Sequence, residues 1–247
     1  MSVFVLKIIA VVSMLIDHFG AVVYIHLVDG PGRLEIYHMM RNVGRIAFPV
    51  FAYLVAQGCL HTKNINKYLL RLGFLALVSE VFFDLAFMYG RSGISFVRDT
   101  NIFYTLFLGV AAVAVYERLC RGEKPTAAMK IGLAAAAVLP MMFVAYYLSS
   151  DYSIYGVAMI FLIYVAGPFD RAARCGVMLA VLFFLYYPFG AQYQFINPRF
   201  LFAAAAAVLV HMYNGRPGPS NAVVKWGFYF FYPVHIAVLV AVREFIL

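Results

Sequence analysis

The sequence predicts an all-α protein, a polytopic membrane helix bundle of about nine transmembrane helices, and three observations predict it. Apolar residues make up 65% of the 247 residues and charged residues 12%; a soluble domain carries about 45–50% and 25%. The apolar residues fall in long runs near the ~20 residues that a helix needs to cross the hydrocarbon core. Short polar breaks rich in Gly and Pro, the residues that interrupt helices, separate those runs. So much apolar surface exceeds what a core of this size can hide, and lipid is its expected solvent.

In order, the segments are 3–27, 44–61, 66–89, 101–117, 127–148, 153–168, 175–190, 199–213 and 223–246. The first ends at Asp29-Gly30-Pro31-Gly32, and the second at Thr62-Lys63-Asn64. Gly90 to Thr100 closes the third, and Arg118 to Pro125 the fourth. Ser149-Ser150-Asp151 separates the fifth from the sixth, and Gly167 to Arg171 the sixth from the seventh. Pro188 to Pro198 and Asn214 to Pro219 bound the last two. The sixth and seventh are short enough to be tilted or broken. With tight connections throughout, residues 1–247 are expected to form a single transmembrane domain. The first run contains Asp17 and His18 and lacks a small-residue cleavage site, so a retained helix is expected rather than a signal peptide.

The net charge of +8 does not imply nucleic acid, because the basic residues are spread over short loops. Cytoplasmic loops retain Lys and Arg. With the N-terminus inside, twelve basic residues, among them Lys7, Lys63, Lys67, Arg71, Lys124 and Lys225, face the cytoplasm. Seven, among them Arg41, Arg45, Arg91 and Arg243, face outward. This bias predicts a multi-pass protein of the cytoplasmic membrane, N-terminus inside. Cys59, Cys120 and Cys175 have no metal or redox spacing and read as structural thiols. The histidines share no ligand spacing either, so no metal is expected.

Ionisable side chains within such segments cost about 2.5–3.5 kcal/mol each and usually face a cavity or a partner. Asp17 and His18 lie past the middle of the first helix. Glu80 and Asp84 lie four residues apart on one face of the third. Arg41 and Arg45 repeat that spacing at the outer start of the second, and His235 follows Tyr232 and Pro233 in the ninth. The set offers its own charge compensation in one slab of the membrane, which marks a candidate site. For the acids and the two arginines, structural ion pairing and a site role both stay open.

Lys7 and His18 are eleven residues apart, three turns and about 16 Å of rise along one helical face. That line suits a ligand with an anionic head and a reactive tail, the shape of acyl-coenzyme A. His61 to Leu72 adds a basic corner with Lys63, Lys67 and Arg71, suited to phosphates or to anionic lipid head groups.

Met14-Leu15-Ile16-Asp17-His18, Gly44 to Ala52 and the His61 to Leu72 corner together resemble the TraX family, membrane proteins named for acetylation of conjugative pilin. The resemblance continues in Ser79-Glu80 with Phe83-Asp84-Leu85, in Asn101 with Thr105-Leu106, and in Asp151-Tyr152 with Tyr155-Gly156. Phe231-Tyr232-Pro233-Val234-His235 completes the ordered set. More distantly, Lys7-x10-His18 is similar to the Arg-x10-His helix of bacterial membrane acyltransferases, with lysine in place of arginine. The Asp-His pair is similar to that of the lysosomal heparan N-acetyltransferase.

These resemblances imply transfer of an acetyl group from cytosolic acetyl-CoA to an amine or hydroxyl at the outer face. His18 would be general base or nucleophile, with Asp17 and His235 assisting. Lys7, Lys63, Lys67 and Arg71 would hold the donor's phosphates. Arg41, Arg45, Glu80, Asp84, Asp151 and Tyr232 would face substrate or oxyanion. The acceptor stays open among a pilin amino group, a surface glycan, a lipid and a small molecule. A proton-coupled transporter and a non-catalytic assembly factor are the competing readings.

Overall fold

The computed structural model describes residues 1–88, 94–122, 125–187 and 197–246. Arg91 and Lys124 of the charge count lie outside the described residues, as do the ends of the 66–89 and 175–190 segments. The described residues are helical, with no strand among them. The helices are α1 (Val3–Phe19), α2 (Ile25–Leu27), α3 (Arg33–Gly44), α4 (Ala47–His61), α5 (Ile65–Phe87) and α6 (Ile102–Leu119). They continue with α7 (Ala127–Tyr147), α8 (Ser153–Val165), α9 (Arg171–Tyr186), α10 (Pro198–His211) and α11 (Ala222–Ile246).

A π-helical turn, Gly20–Tyr24, joins α1 to α2, with the Ile25 N–H reaching Gly20 O five residues back. Five helical stretches are long and apolar enough to cross a membrane: Val3–Leu27, Arg33–His61, Ile102–Leu119, Ala127–Tyr147 and Ala222–Ile246. Ser153–Val165 and Pro198–His211 are apolar but shorter. The helix α5 has the length, yet carries Lys67, Arg71, Glu80 and Asp84. Each expected segment corresponds to a helix; five of them combine the length and the low polarity that a crossing needs.

One boundary differs from the sequence expectation. Hydropathy alone places the second segment at 44–61, whereas helix begins at Arg33. Glu35, His38, Arg41 and Asn42 depress the hydropathy of this stretch without preventing a helix. Gly30 and Gly32 make the preceding turn with positive φ, and Arg33 ties back to Asp29 at 2.6 Å and to the Ile25 carbonyl. Arg41 and Arg45 therefore stand at the C-terminal end of α3, not at the start of a helix.

By compactness the chain divides into two units. The first comprises Met1–Phe51, Val81–Ile94 and Met178–Leu247, with α1, α3, α10 and α11 as its main helices. Here α1 and α11 run parallel. Val3 N donates to Arg216 O (2.9 Å) and Phe4 N to Pro217 O (3.2 Å) just before α11. Farther along, the Phe4 and Phe228 rings meet at 6.0 Å, and His18 meets His235. Because the two helices point the same way, if both cross the bilayer the stretch from α1 through α11 crosses it an odd number of times.

The second unit comprises Ala52–Glu80 and Ser95–Val177. Its centre is α6, α7 and α8, where Leu108, Ala145 and Val157 pack in one buried cluster. Gly109 permits the close approach of α6 to α8: an added Cβ would stand 2.7 Å from Ile160 Cδ1. Asn101 and Thr126 cap α6 and α7 by accepting from Phe103 N and Met129 N. The turn from α7 to α8 is unusual, with Ser149, Tyr152 and Ser153 all at positive φ. Thr105 Oγ1 holds it by donating to the Asp151 carbonyl and accepting from Ser150 Oγ (2.9 Å).

Candidate functional site

In the first unit, α1 and α11 bring two histidines 217 residues apart into direct contact. His18 Nδ1 lies 2.7 Å from His235 Nε2. The rings are within 7° of parallel, with centroids 5.0 Å apart. That separation is as large as a 2.7 Å nitrogen contact permits, so the rings are nearly coplanar and the hydrogen bond is close to linear.

The partners of this pair fix its tautomers. His235 Nδ1 lies 2.7 Å from the Phe231 carbonyl, which only accepts, so Nδ1 carries a proton. In neutral His235 the other nitrogen, Nε2, then has a lone pair and accepts from His18 Nδ1–H. His18 Nε2 is left as the basic atom, with its lone pair available. Its ring is partly exposed and flanked edge-on by Phe87 (5.1 Å) and Tyr232 (5.9 Å).

The local sequence makes this geometry reachable. Pro233 lies inside α11 and lacks the N–H that would bond to the carbonyl of Tyr229, loosening the ladder next to Phe231. The π-helical turn begins two residues after His18; such turns are frequent at functional sites. At the end of α5, Arg243 donates to the carbonyls of Leu85 (2.9 Å) and Ala86 (3.1 Å). This buried guanidinium caps the helix immediately before Phe87.

Asp17, although adjacent to His18, serves a different group. Its Oδ1 lies 3.0 Å from Arg41 and 3.5 Å from Arg45, and Arg45 Nε also donates to Arg41 O (3.0 Å). Neighbouring positions on a helix diverge by about 100°, so the carboxylate faces α3 while the imidazole faces α11. Gly44 makes the approach possible, since a Cβ there would overlap the Asp17 side chain. One carboxylate thus engages two guanidinium groups, one turn apart at the end of α3.

The remaining candidates distribute as follows. Tyr232 is buried against His18 and His235. Asp84 is buried in the same unit, one turn before Phe87. Lys7 lies along α1 from His18, its Nζ 5.1 Å over the Phe228 ring.

Glu80 belongs to the second unit. There its Oε2 accepts from Asn101 N (3.0 Å) and from Asn101 Nδ2, at the N-terminus of α6. Asp151 is exposed, with its backbone held by Thr100 and Thr105. Lys63 lies between α4 and α5, while Lys67 and Arg71 are a turn apart on α5, with Arg71 over the Tyr68 ring at 5.7 Å. Sequence reasoning missed Gly44, Phe87, the Phe231 carbonyl and Arg243 as parts of the site; only the Phe231-to-His235 spacing of one turn hints at any of them.

The family model described as TraX protein matches residues 2–243. The chain belongs to the TraX family. Among curated relatives, this TraX chain is 28% identical over 254 residues to a probable fimbrial assembly protein FimC, serogroup H1, of Dichelobacter nodosus. That match covers 99% of the TraX chain and 97% of the relative. No solved structure matches.

Proposed function

We propose that this TraX protein is an acetyltransferase of the cytoplasmic membrane, its N-terminus inside, that moves an acetyl group from cytosolic acetyl-CoA to an outward-facing amine or hydroxyl. The observation that carries the proposal is the His18–His235 pair, which leaves a basic nitrogen of fixed tautomer on the residue next to Asp17 and its two arginines. In this reading His18 Nε2 takes the proton from the acceptor's N–H or O–H as that atom attacks the thioester carbonyl carbon. Arg41 or Arg45 faces the oxyanion that forms. The C–S bond then breaks, and His18 returns the proton to the departing CoA sulfur, giving acetylated acceptor and free CoA.

In this scheme His235 is a positioning residue, holding the imidazole and delocalising the charge that appears when His18 is protonated. Asp17 positions Arg41 and Arg45. The relative's name favours a fimbrial or pilin component as acceptor, or an assembly role without catalysis. The two are separated by incubating purified protein with radiolabelled acetyl-CoA beside His18→Ala. With an amine or hydroxyl acceptor added, passage of label to the acceptor with release of free CoA is expected in the wild type and lost in the mutant, whose acetyl-CoA binding is retained because His18 acts on the acceptor's proton. Equal behaviour of a well-folded mutant would overturn the scheme and leave the assembly role. Lys67→Ala and Arg71→Ala are each expected to raise the acetyl-CoA concentration needed for half-maximal rate.

A further inference from the structure

The head of the α1–α11 pair carries cations that form no ion pair among the described residues. Lys7 projects over Phe228, and Lys225 lies three residues before Phe228, one turn away on the same face of α11. The two ammonium groups act on one another electrostatically. Arg216, whose carbonyl accepts from Val3 N, adds a third cation where the approach to α11 meets the start of α1.

Acidic residues are absent from this part of the chain. No Asp or Glu precedes Asp17, and none lies between Asp170 and Glu244. Of the carboxylates in this unit, Asp17 engages Arg41 and Arg45, Asp29 engages Arg33, and Glu244 engages Arg243; Glu35 lies in the first turn of α3 and Asp84 one turn before Phe87. Like charges held together are destabilising unless an anion joins them. The same two helices that join His18 to His235 therefore present two lysines at their other end, eleven and ten residues earlier in sequence. At 1.5 Å per residue that is about 15 Å of helix.

We propose that Lys7 and Lys225 form a phosphate-binding clamp at the head of the α1–α11 pair, completed by Arg216. Lys225 and Arg216 are the new members of the site. The clamp deepens the acetyltransferase reading, resting on it only for the identity of the ligand. The chemistry recognised is a phosphate or phosphoanhydride, which a nucleotide thioester or an anionic lipid head group can supply. Lysine serves as a point-charge binder of phosphate, and Phe228 holds the Lys7 stem in place through its ring face.

The test uses the full chain in nanodiscs of phosphatidylcholine, with inorganic pyrophosphate and adenosine 3′,5′-bisphosphate as calorimetric probes. Neither probe carries a thioester, so the result is independent of whether acetyl transfer occurs. Wild type is expected to bind at least one probe, with Kd raised about tenfold in Lys225→Ala and more in the Lys7→Ala/Lys225→Ala double variant, as charge-assisted contacts of this kind imply. Lys225→Gln, which keeps most of the side-chain length, guards against a folding defect in the alanine variant. Repeating the titration with phosphatidylglycerol distinguishes the sources. Unchanged probe binding supports a nucleotide ligand, and competition lost in Lys225→Gln supports a lipid head group at the same clamp. Absence of probe binding in either lipid, or binding indifferent to Lys225, would overturn the proposal.

Discussion

Two buried polar clusters, one in each unit, solve the same physical problem in opposite ways. In the second unit Glu80 has no solvent-exposed surface, and its carboxylate takes the backbone and amide hydrogens of Asn101. Asn101 in turn donates to the Ala76 carbonyl (2.8 Å) and caps α6. Donors and acceptor interlock, and the negative charge meets the positive end of a helix dipole. In the first unit the chain of hydrogen bonds runs one way, from His18 through His235 to the Phe231 carbonyl, and leaves His18 Nε2 as an unspent acceptor. The first arrangement locks helices together, whereas the second holds a reactive atom in a set orientation.

That contrast is open to attack in four places. The largest effect is expected at His18: replacement by alanine should lower acetyl transfer by about 10²–10⁴-fold, the usual contribution of a positioned acid–base group, with thermal stability nearly unchanged. His235→Ala should slow transfer by about tenfold and change the shape of the pH–rate profile, because the tautomer of His18 is no longer fixed. A purely structural histidine would leave that profile alone. In the other cluster the prediction reverses. Glu80→Ala should cost about 2–3 kcal/mol of stability, the penalty for orphaning buried donors to a charged group, while activity per folded molecule stays constant. Thermal denaturation monitored alongside the transfer assay checks both. Gly44→Ala is expected to give the smallest shift, about 1–2 kcal/mol from overpacking, accompanied by a rise in half-saturating substrate as Asp17 releases the arginines.

How far the sequence already spoke of this can be followed residue by residue. Helices follow from hydropathy because lipid punishes every unpaired backbone group, and only α3 escaped, its start hidden by Glu35, His38 and Arg41. Asp17, His18, Arg41, Arg45 and His235 stand out because charged or polar groups are costly at those depths. What one sequence cannot encode is pairing. For Arg41 and Arg45 the sequence leaves ion pairing and a site role open, and nothing in it shows that both reach Asp17 or that Glu80 takes the hydrogens of Asn101. No periodicity links position 18 to position 235, and the tautomer of His18 depends on a backbone carbonyl that any residue at 231 would supply. Such facts arise only when distant helices are docked.

The close fit of Gly44 against Asp17 also bears on inheritance. An added Cβ at 44 would stand 2.3 Å from the Asp17 Cβ, an atom that every residue except glycine carries, so the constraint comes from the spacing of α1 and α3 rather than from the acid itself. A methyl group at 44 must push the two helices apart, and the hold of the carboxylate on the guanidinium groups loosens as they part. Glycine is therefore expected at 44 whatever residue stands at 17, and related chains in which 44 carries a side chain are expected to hold these helices farther apart.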